Sequence, residues 1–119
     1  MKSVTGTVIA LFGLAVLFAG PAVYAEEKET PPAFTKATLE DSKNIATGKE
    51  IWIEQCGLCH GAKSYPGKAP KLKPRRYKPN FVFRRVTKGF RKMPAWQDVY
   101  TRDERIAIVA YIMSKDFSP

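Results

Sequence analysis

In the last part of the chain, apolar and small residues fall at Ile106, Val109, Ala110 and Met113. This i, i+3, i+4, i+7 spacing lines one face of an α-helix. Thr101-x-x-Glu104 stands just before the stripe as a capping box. In such a box, hydroxyl and carboxylate satisfy the first free backbone N–H groups. Asp103 and Glu104 suit the positive start of this helix and Lys115 its negative end. A second stripe, Ile45, Gly48, Ile51, Trp52 and Gln55, predicts a helix beginning near Asp41, capped by Ser42 or Asn44, and running to about Cys56. A shorter register, Phe81, Val82, Arg85 and Val86, predicts a helix after Asn80 that Gly89 ends with a left-handed turn. Residues 61–79 hold Gly61, Pro66, Gly67, Pro70, Pro74 and Pro79, a density that excludes a long helix or central strand and predicts an extended loop. Residues 90–100, with Met93-Pro94-Ala95-Trp96, predict another loop. No alternating strand pair and no internal repeat is found, so the class is small and all-α.

The first residues read as an address. Lys2 precedes an apolar run from Val8 to Ala19, broken only by Gly13; Pro21 follows, and Val23-Tyr24-Ala25 ends in the small residue that signal peptidases accept. Residues 1–25 are therefore expected to be an export signal. The alternative is an uncleaved membrane anchor, against which the run is shorter than the ~20 residues a spanning helix needs. Residues 26–39, polar and bearing Pro31 and Pro32, are expected to be a flexible leader, and residues 40–119 the folded domain. The expected destination is the periplasm of a bacterium.

The chain has 119 residues, 45% hydrophobic and 26% charged, which excludes disorder throughout. Twenty Lys and Arg against eleven Asp and Glu give a charge of +9 and point to an acidic partner. A small exported domain generally needs a staple beyond its core. Only two cysteines are present, three positions apart, and so short a loop gains less from a disulfide than a long one.

Cys56-Gly57-Leu58-Cys59-His60 supplies another kind of staple. Two thiols on one helical turn reach the two vinyl groups on one edge of a haem, and the next residue aims its imidazole at the iron. A thioredoxin-like redox pair would need a βαβ pattern, which is missing. A zinc site would need more ligands than one His and two Cys. His60 is the only histidine, so two imidazoles from one chain cannot hold the iron. Methionine is then the usual choice for the second axial side chain. Met1 leaves with the signal, and Met113 sits on the apolar stripe of the last helix as core filler. Met93, stiffened by Pro94, is favoured, with a lysine or an open position as the alternatives.

Residues 44–114 resemble a class I cytochrome c, the small monohaem family. The resemblance is carried by Gly48, Trp52, Cys56-x-x-Cys59-His60-Gly61, Pro70-Lys71-Leu72, Gly89-Phe90-Arg91-Lys92-Met93-Pro94-Ala95-Trp96 and Ile108-Val109-Ala110-Tyr111-Ile112. It implies three to four helices wrapped around one covalent haem c, with the terminal helices crossing, here at Gly48 against Tyr111. It also implies thioethers at Cys56 and Cys59, with His60 and Met93 as iron ligands. The carbonyl of Pro70 would accept the other ring N–H of His60, orienting the imidazole and raising its basicity. Leu72, Phe81, Phe90 and Trp96 are expected as apolar walls. The basic, proline-rich loop between Gly61 and Asn80 departs from the family pattern.

Between Gln55 and Gln97 stand Lys63, Lys68, Lys71, Lys73, Arg75, Arg76, Lys78, Arg84, Arg85, Lys88, Arg91 and Lys92, with no acid among them. One-signed clusters steer partners. The expected partners are acidic redox proteins of dehydrogenase or oxidase type. Nucleic acid is not expected, because Tyr65, Tyr77 and Phe81 are too sparse for a stacking platform. A membrane is expected only if the signal stays. The expected function is that of a monomeric electron carrier, not an enzyme. The alternatives are a haem subunit of a larger oxidoreductase, or a peroxidase or gas sensor in which Met93 lets go.

Overall fold

The structure, a computed structural model, describes residues 29–117. The expected export signal, and residues 26–28 of the expected leader, lie outside the described residues. Among the described residues there are five α-helices: α1 Lys36–Glu40, α2 Ser42–Ile51, α3 Gly57–His60, α4 Pro79–Lys88 and α5 Arg102–Met113. A π-helical turn, Trp52–Cys56, joins α2 to α3, and a 3-10 turn spans Pro74–Arg76. Among the described residues there is no strand, only an isolated bridge between Phe90 and Met93. The all-α expectation holds.

The capping box of α5 is complete. The Glu104 N–H donates to the Thr101 hydroxyl, and the Thr101 N–H donates to the Glu104 carboxylate at 2.8 Å. The start of α2 differs from expectation. Its cap is Asp41, whose carboxylate accepts from the Asn44 N–H at 2.8 Å, in place of Ser42 or Asn44. The helix does not stop near Cys56 either. The Gly57 N–H donates to the Trp52 carbonyl five residues back, and helical structure continues to His60. A wide turn of this kind inserts a residue without ending the helix.

α2 packs principally on α5. Gly48 makes this possible: a Cβ there would run into the Ala107 carbonyl and the Tyr111 side chain. Trp52, Tyr111 and Phe117 are almost wholly buried and meet edge-on, with ring centroids 4.6 Å apart for Trp52–Phe117 and 5.3 Å for Tyr111–Phe117. Each such pair adds about 1 kcal/mol beyond its burial. Val82, Phe83 and Val86 of α4 complete the core with Ile51, Ile108, Val109 and Ile112. Met113 packs against this core, as its place on the stripe implies.

Residues 29–39, read in the sequence as part of a flexible leader, are held against the fold. Thr35 caps α1, which packs on α2 and α5. Phe34 meets Phe83 edge-on at 5.9 Å. Arg105, only 5% exposed, sends two guanidinium nitrogens to the Glu29 carboxylate at 2.8 and 3.0 Å, and one of them also donates to the Thr87 hydroxyl at 2.8 Å. A buried guanidinium needs such a partner, because an unpaired charge is costly away from water. Nothing in the composition of residues 26–39 encodes this, since the partner lies more than seventy positions away.

Candidate haem site

The two thiols and the imidazole are presented by one short stretch, from the end of the π-helical turn through α3. Cys56 and Cys59 are free, Cys56 half-buried and Cys59 exposed. Burial pushes the Cys56 thiol up to about 11, so it stays protonated at neutral pH. Burial lowers the pKa of His60, which keeps its imidazole neutral and its lone pair available to a metal.

Trp52 braces this turn from within the core. Its indole N–H is shared between the carbonyls of Gly61 at 3.0 Å and Ala62 at 2.9 Å. Its ring lies 5.5 Å from the His60 imidazole. The following loop folds back on the same stretch. The Ala69 N–H donates to the Cys59 carbonyl at 2.8 Å, and Gly67 lies too close to the backbone of Cys59 and His60 to carry a side chain. These contacts tie a loop with little regular structure directly to the ligand-bearing turn. They were not foreseen in the sequence, where the only signal was a glycine pair, Gly61 and Gly67, just after His60.

Met93 is half-buried and packs on the same core cluster as Cys56, Leu72, Tyr77, Phe81, Trp96 and Tyr100. Its turn is closed by two hydrogen bonds, Phe90 N–H to the Met93 carbonyl at 2.9 Å and Met93 N–H to the Phe90 carbonyl at 3.0 Å. Gly89, at φ +70°, ends α4 and lies against the backbone of Met93, Pro94 and Ala95. An L side chain there would meet both an unfavourable backbone and filled space. Trp96 donates its N–H to the Val86 carbonyl at 3.1 Å, fixing the loop's far end to α4.

Two expectations are revised. His60 Nδ1 is buried and makes no hydrogen bond, so its expected bond to the Pro70 carbonyl is not formed, and Pro70 itself is exposed. The proline-rich loop crosses the Cys59 backbone one residue earlier, through Ala69. Phe90, expected as an apolar wall, is 49% exposed and lies under Arg85, whose guanidinium carbon is 3.9 Å from the ring centroid. Leu72, Phe81 and Trp96 do pack on the core.

Of the basic residues singled out in the sequence, all are exposed except Arg85, which is half-buried between aromatic rings. Arg84 and Arg85 lie over Phe81, and Arg91 over Phe90. Among the described residues, no group of three or more His, Cys, Asp or Glu side chains could hold a metal ion. The donor set instead suits a haem: two unpaired thiols three apart, a neutral imidazole with an unpartnered buried nitrogen, and a thioether on the same core.

Comparison with known proteins decides the family. The model described as cytochrome C oxidase, cbb3-type, subunit III matches residues 43–112. The chain belongs to this cytochrome c family. Its cofactor is haem c, bound covalently with iron. The fold of the cytochrome is shared with the c-type cytochrome NirC, at 24% identity over 66% of this chain and 99% of that one, with a TM-score of 0.53. It is shared with cytochrome cL of the marine methylotroph Methylophaga aminisulfidivorans, at 19% identity over 76% and 69%, with a TM-score of 0.56. It is also shared with cytochrome cL of Hyphomicrobium denitrificans, at 20% identity over 66% and 51%, with a TM-score of 0.57. These identities speak for the fold alone. No curated protein matches the cytochrome. Among its described residues, no helix is long and apolar enough to cross a membrane.

Proposed function

We propose that the cytochrome is an exported, periplasmic carrier of single electrons with one haem c, held by thioethers at Cys56 and Cys59 and by His60 and Met93 at the iron. The observation that carries this reading is the pairing of the Cys56–His60 turn with a half-buried methionine packed on the same core. When bound, the haem supplies an iron that cycles between Fe(III) and Fe(II). The chain's own residues hold and tune it. The neutral His60 imidazole offers a lone pair, and the Met93 sulfur, a soft donor, favours the reduced state. Leu72, Phe81 and Trp96, which pack on the same core, are proposed as the apolar walls that limit water around the ligands. His60 Nδ1, left without an acceptor, needs one as a metal ligand. Exported protein run on a denaturing gel should stain for haem. A colourless mature sample, or pigment lost to acidified organic solvent, would end the reading.

A second reading, favoured by the family description, is a haem subunit of a larger oxidoreductase. Purification from membranes and from the soluble fraction separates the two. A carrier is recovered alone from the periplasm, whereas a subunit stays with a larger catalytic chain. The exposed basic residues are proposed to dock an acidic redox partner of dehydrogenase or oxidase type.

A further inference from the structure

We propose that Arg85 and Phe90 form a clamp that positions the Met93 turn and sets how firmly the Met93 thioether resists replacement by a competing ligand. This rests on the His60/Met93 reading above.

Phe90 is the base of the turn. Both of its backbone polar groups are bonded to Met93, at 2.9 and 3.0 Å, so any movement of Phe90 moves Met93 with it. The ring of Phe90 is not held by the core, being 49% exposed. What holds it is Arg85, whose guanidinium carbon lies 3.9 Å from the Phe90 centroid and 5.0 Å from that of Phe81. Arg85 projects from the last turn of α4, and α4 is anchored by buried Val82, Phe83, Val86 and Thr87. A rigid helix thus reaches the methionine turn through one planar cation and one ring. A guanidinium can lie flat on an aromatic face as an ammonium cannot.

The turn needs this support because its own backbone is not well suited to it. Arg91, the residue after Phe90, sits at φ +55°, in the left-handed region that L residues rarely adopt. Local preference therefore opposes the turn, and contacts from outside must hold it. Arg91 adds a second, longer contact, 5.2 Å from the Phe90 centroid. On the other side of Met93, the Trp96 to Val86 hydrogen bond is a backbone contact that no substitution at Phe90 removes. Loosening the clamp should free one end of the loop without unfolding it.

The test is titration of the oxidised, haem-loaded protein with imidazole, which competes for a methionine's place on iron. It is followed with the sulfur-to-iron absorption band in R85Q, R85K, F90A, F90Y and M93A. R85Q and F90A should bind imidazole about tenfold more tightly than the unsubstituted protein, a change of about 1.4 kcal/mol. F90Y, which keeps the ring, should stay within about twofold, and R85K, which keeps the charge but not the planar guanidinium, should fall with R85Q. A merely structural role would lower the melting temperature and leave imidazole affinity unchanged. That result in both R85Q and F90A, with M93A binding imidazole far more tightly, overturns the clamp and spares the ligand reading. If M93A leaves both the band and the affinity unchanged, the ligand reading falls and the clamp with it. Should F90A fail to mature, R85Q, at a half-buried surface position, decides alone.

Discussion

Trp52 shows how one side chain can serve both the core and the site. Its ring fills the core beside Tyr111 and Phe117, while its single N–H spans two carbonyls of the stretch after His60. W52F keeps an aromatic ring and removes the donor. Two carbonyls then lose a partner, and thermal or denaturant unfolding should show a loss of about 1–2 kcal/mol, with the haem still attached. M93A should act differently. It should lower the reduction potential by on the order of 0.2 V, within the ~0.8 V span that haem axial ligands command. It should also let carbon monoxide bind the reduced protein at neutral pH, which potentiometry and visible spectra would show. At this scale the sequence was most informative where the chemistry is contiguous. Cys56, Cys59 and His60 announce themselves within five positions. The indole's role was hidden because its acceptors lie beyond the turn it braces, and no periodicity relates them. The Arg85–Phe90 stack was equally hidden, because Phe90 looks like any apolar loop residue until its ring is seen to be half in water.

Among elements, the α2–α5 crossing was legible and the approach to it was not. The stripes of both helices and the small residue at Gly48 are periodic signals, and periodic signals survive folding because burial enforces them. The cap at Asp41 was missed because Ser, Asp and Asn stand close together there and all can cap. The segment before α1 was missed because its order comes from an ion pair with α5. That pair is open to test. The hydrogen bond from Arg105 holds the Glu29 carboxyl below its ordinary value of 4.5. Its native pKa is thus depressed, so its stabilisation is complete above that ordinary value and fades as pH falls through the lower native one. E29Q should cost about 2 kcal/mol at neutral pH, by leaving the buried guanidinium of Arg105 with weaker partners. It should also flatten the acid limb of the stability curve, measured by chemical denaturation across pH. An acid limb as steep in E29Q as in the unsubstituted protein would count against the pair.

On the scale of the whole molecule, charge is sorted along the chain, with an acid-free span between Gln55 and Gln97. The exposed bases between Lys63 and Lys92 come from the loops and helix that flank the two ligand segments. Glu50 and Glu54 stand with α2 and the π-helical turn, and Asp98, Asp103 and Glu104 at and before the start of α5. If these bases dock the proposed acidic partner, they should orient it before contact. The bimolecular rate with an acidic redox partner, measured by stopped flow, should fall about tenfold or more as salt rises from ~0.01 M to ~1 M, since the Debye length shrinks from ~30 Å to ~3 Å. A rate indifferent to salt would remove the docking role from these residues. The sequence made this belt visible as an acid-free span, but gave no sign that Arg85 is half-buried between rings.

The wide turn at Trp52–Cys56 has a consequence for how this protein can vary. It leads from the face of α2 that grips α5 to the residues that carry the sulfurs and the imidazole, Cys56 being its last member. Removing or adding one amino acid there would rotate everything beyond it by about 100° relative to the gripped face. Substitutions can accumulate at the turn's exposed positions Ile53, Glu54 and Gln55, whereas changes of length by a single position would swing the ligands away from the core.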